Sequence, residues 1–225
     1  MAHAAQQFGS DFSIIHLGDA IDYGMRPNEV LSRLHALDHR IIANLAGNHE
    51  QALFGDGLDK FSSARALQAH LFTRGILDPV WRSYLQEAMC FGQRTLSLEG
   101  ARLLLLHGDL SDPFWGGMPS SEMEKDDYKT YDYVICGHTH IRFMVEMFYA
   151  DSTEKARRGR CKTVFVNPGS IGQPRNHNCR AQYGVIDLTE ATVHFYSVPY
   201  NIIEECSVFD GSVDTFYRDR LLTGI

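Results

Sequence analysis

Five short apolar segments, each followed by a glycine or proline turn and polar residues, constrain the fold more than any other feature of the sequence. They are residues 13–17, 41–46, 102–106, 133–136 and 163–166. Apolar runs of this length, bounded by turn residues, are typical of strands that are buried on both faces of a sheet. In layered α/β proteins, ligands bind beyond the carboxyl ends of such strands. We therefore expect the polar residues that follow these strands to converge on one crevice.

The residues at these strand ends have the chemistry of a metal site. Neutral imidazoles with carboxylate and amide oxygens suit first-row divalent cations, and no cysteine stands among them to indicate a structural zinc site. His138 and His140 are two residues apart, so in an extended segment both rings would point the same way. The candidate residues are Asp19, Asn48, His49, His107, His138 and His140.

Each candidate, taken alone, has a simpler interpretation. A single histidine after a strand is more often a hydrogen-bonded structural residue than a ligand, and Gly-Asp is a common turn. Here, however, four histidines stand beside glycines at strand ends, in a fixed order along the chain. The combination favours a metal site, although no single residue does.

The order of these motifs resembles that of the calcineurin-like metallophosphoesterase superfamily, in its small bacterial phosphodiesterase branch. The family pattern reads Asp-x-His, Gly-Asp-x-x-Asp, Gly-Asn-His-Asp/Glu, a His before Gly, and Gly-His-x-His. Four of these five blocks are present, at residues 18–22, 47–50, 107–108 and 137–140. The stretch from Asn167 to Arg175 adds to the likeness. The resemblance implies an α/β fold, a layered αββα sandwich with two mixed β-sheets flanked by helices.

The resemblance also implies a centre of two divalent metal ions. Asp19 would bridge them, and the ions would activate a hydroxide and neutralise the phosphoryl oxygens during in-line attack. Asn48, His107 and His138 would complete one metal site, and His140 would contribute to the other. Manganese, iron, zinc, nickel and cobalt can all use such ligands, so the pattern does not select among them.

Two catalytic residues and three substrate contacts follow from the same motifs. The resemblance implies that His49 faces the substrate phosphate as an acid or hydrogen-bond donor, and Asp22 joins it as the second catalytic residue. Asn48, His49 and Arg175 are the expected substrate-binding residues. Arginine recognises phosphate oxygens through two parallel hydrogen bonds, but a surface salt bridge is an equal alternative for Arg175.

The first block of the family pattern has no counterpart ahead of Asp19. Residues 1–17 contain no Asp-x-His pair, and residues 1–8 have the character of the end of a helix. We therefore expect the usual first strand to be missing, which leaves one metal site complete and reduces the other to Asp19 and His140. Three explanations stay open: a start further upstream, another segment or chain in the place of that strand, or a fragment with impaired activity.

Charge, cysteines and hydropathy narrow the function classes. The formal net charge of −7 disfavours a nucleic-acid duplex as the main partner. Five scattered cysteines without a Cys-x-x-Cys pair are typical of reduced thiols in a cytoplasmic protein. No stretch approaches the roughly 20 apolar residues that a membrane span needs, so we expect no membrane partner. With 225 residues and 44% apolar content, the chain is predicted to form a single domain over residues 1–225.

The remaining sequence predicts several connecting elements. Residues 51–94 are helical in character, with caps at Ser62 or Ser63 and at Asp78, and His70 is assigned to packing. Residues 109–131 form a long loop, whose Phe114 and Trp115 could gate the site or stack on a substrate. The charged stretch 122–129 at its end favours a short solvated helix. The other predicted elements are a helix at 27–37, a hairpin over 141–166 with a basic turn at 155–160, a hairpin at 185–187 and 193–198, and a closing helix at 214–222.

Three functions from different classes are compatible with these residues. The leading hypothesis is metal-dependent hydrolysis of a small phosphodiester, phosphomonoester or nucleotide. The first alternative is a non-catalytic interaction scaffold, because the family resemblance includes a scaffold subunit of retromer. The second alternative is a serine/threonine protein phosphatase. An unfilled place in the sheet would also favour a homo-oligomer.

Overall fold

A five-stranded mixed sheet forms one layer of the protein. The computed structural model describes residues 2–150 and 159–225, so most of the predicted basic turn at 155–160 lies outside the described residues. The strand order is β3-β4-β5-β7-β6, with β4, β5 and β7 parallel and the two edge strands antiparallel to their neighbours. The strands are β3 (Arg94–Leu98), β4 (Ala101–Leu105), β5 (Tyr133–Ile135), β6 (Phe143–Ala150) and β7 (Arg160–Asn167).

Two separate pairs of strands pack across from this sheet. Strands β1 (Ile14–His16) and β2 (Ile41–Asn44) are parallel, whereas β8 (Ala181–Asp187) and β9 (Thr192–Val198) form an antiparallel hairpin. The predicted layered α/β class is confirmed. The second predicted mixed sheet is instead two two-stranded sheets, because no strand among the described residues pairs with both.

The apolar core lies on both faces of the five-stranded sheet. On the inner face, side chains alternating along β4, β5 and β7 pack against β1, β2 and the hairpin, as the period of two in a strand requires. On the outer face, Phe165 packs against Tyr128, with ring centroids 5.1 Å apart. Because both faces are covered, these strands contain the near-continuous apolar runs seen in the sequence.

Eight α-helices lie in the described part of the chain. The predicted start of the fourth helix is confirmed, since Ser63 Oγ accepts a hydrogen bond from the N–H of Ala66 (3.3 Å). Asp78 precedes the fifth helix as predicted, but its side chain makes no capping hydrogen bond. The helices are α1 (Ala2–Phe8), α2 (Pro27–His35), α3 (Asn48–Leu53), α4 (Ala64–Ile76), α5 (Pro79–Ala88), α6 (Ser120–Met123), α7 (Ile202–Ser207) and α8 (Thr215–Thr223).

The structure corrects several predicted boundaries. Helix α2 ends two residues before the predicted limit, and a 3₁₀ turn (Leu58–Lys60) interrupts the predicted helical stretch from 51 to 94. Arg94 already belongs to β3, whose polar and apolar residues alternate on a half-exposed edge strand. The predicted long loop contains α6 and a short 3₁₀ turn (Asp126–Tyr128). These elements are short and locally stabilised, so hydrophobic periodicity gives little signal for them.

The first helix, α1, packs on the C-terminal hairpin. His3 Nδ1 lies 2.7 Å from the hydroxyl of Tyr183, and the rings of Phe8 and Tyr196 meet edge to face. The helical character predicted for residues 1–8 is confirmed for Ala2–Phe8. None of the helices in the described ranges has the length and apolar content that crossing a bilayer would require.

Candidate metal centre

The polar residues at four strand ends meet at one edge of the sandwich. Strands β1 and β2 are parallel to each other, as are β4 and β5, so their carboxyl ends bring loop residues to the same side. Asp19 follows β1, Asn48 opens α3 after β2, and His107 follows β4. The structure brings together all five predicted metal ligands, which are Asp19, Asn48, His107, His138 and His140.

The ligand atoms of this group are spaced as the ligands of a cation are. Asp19 Oδ2 lies 3.3 Å from His107 Nε2 and 3.2 Å from His140 Nε2. Asn48 Oδ1 lies 3.1 Å from His107 Nε2 and 3.0 Å from His138 Nδ1. Oxygen and nitrogen atoms at about 2.0–2.2 Å from a metal ion lie roughly 3–3.5 Å from one another. The donor set therefore fits a first-row divalent ion.

Backbone carbonyls orient two of the imidazoles toward Asp19. His107 Nδ1 donates to the carbonyl of Leu17 (2.6 Å), and His140 Nδ1 donates to that of Gln173 (2.9 Å). This bonding leaves the lone pair of each neutral ring on Nε2, facing the carboxylate of Asp19. Metal-binding histidines commonly make such a bond with the nitrogen that does not hold the ion.

The protonation states add to the argument for a cation. Burial lowers the pKa of His140, and burial together with His107 lowers the pKa of His138 to about 4. Both rings are therefore neutral at pH 7. A neutral His140 places a lone pair 3.2 Å from an ionised carboxylate, which is favourable only when a positive charge lies between them.

His107 and Asp19 form a strongly interacting buried pair. Burial opposes charge on both groups, but the negative charge of Asp19 raises the pKa of His107 above its usual value. His107 and His49 in turn hold the pKa of Asp19 well below its usual range, although burial acts in the opposite direction. A proton on His107 Nε2 would thus interact with the oxygens of Asp19 and Asn48, and a bound metal ion would interact with the same oxygens.

The backbone that presents these ligands is strained. Asp19, His138 and His140 have φ values of 58°, 49° and 58°, in the left-handed region that non-glycine residues rarely adopt. The expectation of an extended His138-Thr139-His140 segment is therefore wrong, and the two rings reach one volume through a turn. Gly47 is needed for close approach, since an added Cβ would lie 2.1 Å from Asp19 Oδ1.

Glu50 fixes the loop that carries Asp19. Its buried carboxylate accepts hydrogen bonds from the N–H groups of Gly47 (2.7 Å), Asp19 (2.9 Å) and Ala20 (2.8 Å). Burial and the nearby charge of Asp19 raise the pKa of Glu50. The last residue of the Gly-Asn-His-Glu motif therefore holds two ligand loops together and is not itself a metal ligand in this geometry.

A second polar cluster lies beside the first and consists of Asp22, His49 and His70. Asp22 Oδ2 accepts from His49 Nδ1 (2.6 Å) and from His70 Nδ1 (2.8 Å). Burial would raise the pKa of Asp22, but the two hydrogen bonds lower it to about 2. Burial also opposes charge on His49, but Asp19 and Asp22 outweigh it and raise the pKa to about 9. His70, which the sequence analysis assigns to packing, instead belongs to this cluster, because the packing of α4 sets its position.

Aromatic side chains surround both clusters. Tyr23 meets the ring of His49 edge to face (4.6 Å between centroids) and stacks on Tyr217 (4.4 Å). Phe61 lies against His49 and Trp115. Trp115, from the loop after β4, thus lies beside the site as expected, and Phe61 contacts a candidate catalytic residue.

Arg175 lies next to the metal ligands, because its backbone is hydrogen-bonded to that of His140. Its N–H donates to the carbonyl of His140 (3.1 Å), and its positive charge contributes to the lowered pKa of His138 and His140. Its Nε is buried and has no partner among the described residues. A salt bridge, the alternative interpretation of Arg175, is not among the ion pairs of the described part of the chain.

The fold and this ligand set define a layered α/β protein with a candidate metal centre at its strand ends. Residues 1–191 match the family model of the calcineurin-like phosphoesterase superfamily domain. The chain belongs to this superfamily, which confirms the resemblance. Membership supports metal-dependent phosphoester hydrolysis in general and implies divalent metal ions as cofactors.

Relatives with solved structures confirm the fold. A metallophosphoesterase from Sphaerobacter thermophilus is 22% identical, with a TM-score of 0.74 over 99% of this chain and 92% of its own. A hypothetical protein from Pyrococcus horikoshii OT3 is 18% identical, with a TM-score of 0.78 over 100% of this chain and 90% of its own. An uncharacterized protein of Methanocaldococcus jannaschii is 26% identical over 84% of this chain and 76% of its own length.

Proposed function

We propose that this protein hydrolyses a small phosphate ester, with a phosphodiester, phosphomonoester or nucleotide as the substrate class. The observation that carries the proposal is the approach of Asp19, Asn48, His107 and His138 to one point, beside a histidine held by a carboxylate. Divalent ions bound there would polarise the phosphoryl group and lower the pKa of coordinated water. Manganese, iron, zinc, nickel or cobalt would suit the ligands.

We assign His49 the role of proton donor to the leaving group. Its Nδ1 is engaged by Asp22, so Nε2 is the ring nitrogen left for the substrate. Although burial opposes the charge, the hydrogen bond and negative charge of Asp22 raise the pKa of His49 and so favour the protonated ring that a general acid requires. Asp22 fixes the tautomer and orientation of the ring, as a buried carboxylate does for other catalytic histidines.

Arg175 and Asn48 would hold the phosphate. A guanidinium beside neutral histidines, with a buried Nε that lacks a partner in the described chain, can donate two parallel bonds to phosphate oxygens. We expect Arg175→Met to raise KM by about 10-fold or more, because a charge-assisted hydrogen bond contributes about 1.5–3 kcal/mol. Steady-state kinetics measure this effect, and an unchanged KM would remove Arg175 from substrate binding.

The main experiment compares metal content with turnover. The wild-type chain and His49→Ala are loaded with manganese, and metal per chain is measured beside hydrolysis of bis(p-nitrophenyl) phosphate. The proposal expects turnover in the wild type and a loss in His49→Ala at equal metal content. The loss should be about 10²–10⁴-fold for a dialkyl phosphodiester, whose alkoxide needs a proton to leave, and smaller for bis(p-nitrophenyl) phosphate. Thr189→Ala, at an exposed turn, is the matched control and should turn over as the wild type does.

The other functions give different outcomes. A scaffold predicts one metal ion or none and no turnover in the wild type. A serine/threonine protein phosphatase predicts hydrolysis of phosphoserine peptides in preference to the small diester. The aromatic side chains of Tyr23, Phe61 and Trp115 around the centre support a small substrate. A cytoplasmic location and a homo-oligomeric state remain predictions, which fractionation and light scattering would test.

A further inference from the structure

His70 is a buried histidine that the proposed mechanism does not yet use. It lies on α4, its exposed fraction is 0%, and its Nδ1 donates to Asp22 Oδ2 at 2.8 Å. The same oxygen accepts from His49 Nδ1 at 2.6 Å. One carboxylate oxygen therefore receives N–H groups from two imidazoles, and one of these belongs to the proposed general acid.

The contact is more specific than packing requires. A histidine that only fills space is satisfied by any hydrogen-bond partner, but here the partner is the residue that orients His49. Phe61 lies against both imidazoles, with ring centroids 5.5 Å from His49 and 5.3 Å from His70. His70 and Phe61 thus leave Asp22 and His49 little freedom to rotate.

A metal ion is a weaker explanation for this cluster. Asp22, His49 and His70 are close enough to share an ion. However, the Nδ1 atoms of His49 and His70 already lie at hydrogen-bond distance from one oxygen of Asp22. Two hydrogen bonds therefore explain the arrangement without an ion. By contrast, the Asp19 cluster brings acceptor atoms face to face.

We infer that His70 is a positioning residue, which holds His49 through Asp22 with the free ring nitrogen of His49 toward the leaving group. The inference rests on the proposed function. With two donors on Oδ2, the carboxylate of Asp22 cannot turn about its Cβ–Cγ bond without breaking a buried hydrogen bond. Removal of His70 allows that rotation, so His49 spends less time in its productive orientation.

The kinetic test uses His70→Leu and two leaving groups. We expect kcat to fall about 10–100-fold for a dialkyl phosphodiester, which must expel an alkoxide, with KM unchanged. We expect a smaller fall for bis(p-nitrophenyl) phosphate, because p-nitrophenolate leaves with little need of a proton. In a His49→Ala background, His70→Leu should cause no further loss, since the two residues act as one unit.

Two variants on the same helix separate positioning from stability. Thr73→Val removes a buried hydroxyl that has no hydrogen-bond partner among the described residues, one turn along α4, and should leave kcat unchanged. His70→Asn places an amide N–H near the position of Nδ1 and should restore most of kcat. Equal kcat in His70→Leu and Thr73→Val would overturn the inference, as would a His70→Leu protein that binds one metal ion fewer.

Proton NMR of the metal-free protein tests the same contact without turnover. The Nδ1–H resonance of His49 should shift or broaden in His70→Leu and stay in place in His70→Asn and Thr73→Val. An unchanged His49 resonance in His70→Leu would overturn the inference whatever the activity. Absence of turnover in the wild type would defeat the proposed function alone, because the resonance reports the contact independently.

Discussion

The two polar clusters at the strand ends both combine an aspartate with histidines, but they differ in spacing. In the Asp19 cluster, the facing oxygen and nitrogen atoms lie 3.0–3.3 Å apart. In the Asp22 cluster, the two contacts are 2.6 Å and 2.8 Å. The first group has acceptor atoms that need a cation at their centre, whereas the second is already joined by hydrogen bonds. An aspartate with two histidines can therefore bind a metal or orient an acid, and the geometry decides which.

The origins of the two clusters differ as well. The Asp19 cluster is assembled from the ends of four strands, so the sheets fix its geometry. The Asp22 cluster includes α3 and α4, and its third member depends on how one helix packs. Strands place ligands through backbone register, but a helix must be located by its side-chain contacts. We therefore expect changes in the first cluster to abolish metal binding, and changes in the second to alter orientation and stability.

The largest expected effect is that of Asp19→Asn on metal binding. Asparagine keeps the shape of the side chain but removes the negative charge of Asp19, which faces two imidazoles and would bind the ions. We expect the bound metal to fall to background and kcat/KM to fall by at least about 10³-fold, beyond the 10–100-fold typical of residues that only orient a ligand. Elemental analysis and phosphodiester hydrolysis measure the two quantities.

Asp126→Asn is the matched control for that substitution. Asp126 is exposed and pairs with Lys129 on the surface, so the same chemical change far from the strand ends should alter neither quantity. Metal retention in Asp19→Asn would break the comparison, because it would show that the carboxylate is not the shared ligand.

The next effect is that of Asp22→Asn on stability, and it depends on pH. The folded pKa of Asp22 is about 2, below the ordinary 3.8, so its stabilising contribution is present above pH 4 and is lost as pH falls through 2. The difference corresponds to about 2 kcal/mol of unfolding free energy. We expect Asp22→Asn to be less stable by about this amount at pH 5, with the gap closing toward pH 2.

Urea unfolding at several pH values, with the metal removed, measures this gap. Asp126→Asn again provides the control, because an exposed ion pair contributes at most about 1 kcal/mol. A gap that stays constant from pH 5 to pH 2 would mean that Asp22 is not the ionised acceptor of two histidines. The two clusters would then not differ in the way proposed.

The sequence was sufficient for the part of the site that strands position. Asp19, Asn48 and His107 each follow an apolar run, and the carboxyl ends of parallel strands lie together by the geometry of the fold. The meeting of these residues was therefore predictable. The turn at His138 and His140 was not, because a left-handed backbone at a non-glycine residue leaves no mark in hydrophobic patterning.

The part positioned by helices was harder to predict. His70 lies on α4, whose apolar side chains do not form a clear stripe, so nothing in the sequence directs it toward Asp22. Neither strand β3 nor helix α7 is predicted, because the alternation in β3 extends over only five residues and α7 carries no distinct apolar period. Long-range packing determines these positions, and the hydrophobic pattern of a single sequence does not reveal that packing.

The smallest expected effect comes from Gly75→Ala, which separates the stability of α4 from the contact that α4 provides. Gly75 lies inside the helix, and a Cβ built there meets no atom within 4 Å. Alanine should raise the unfolding free energy by about 0.5–1 kcal/mol, because it loses less backbone freedom on folding. Metal content and kcat should be unchanged, as urea unfolding and steady-state kinetics will show. If kcat instead changed as strongly as in His70→Leu, the rigidity of α4 rather than the bond to Asp22 would control the orientation of His49. The stability of α4 would then explain the difference between the two clusters.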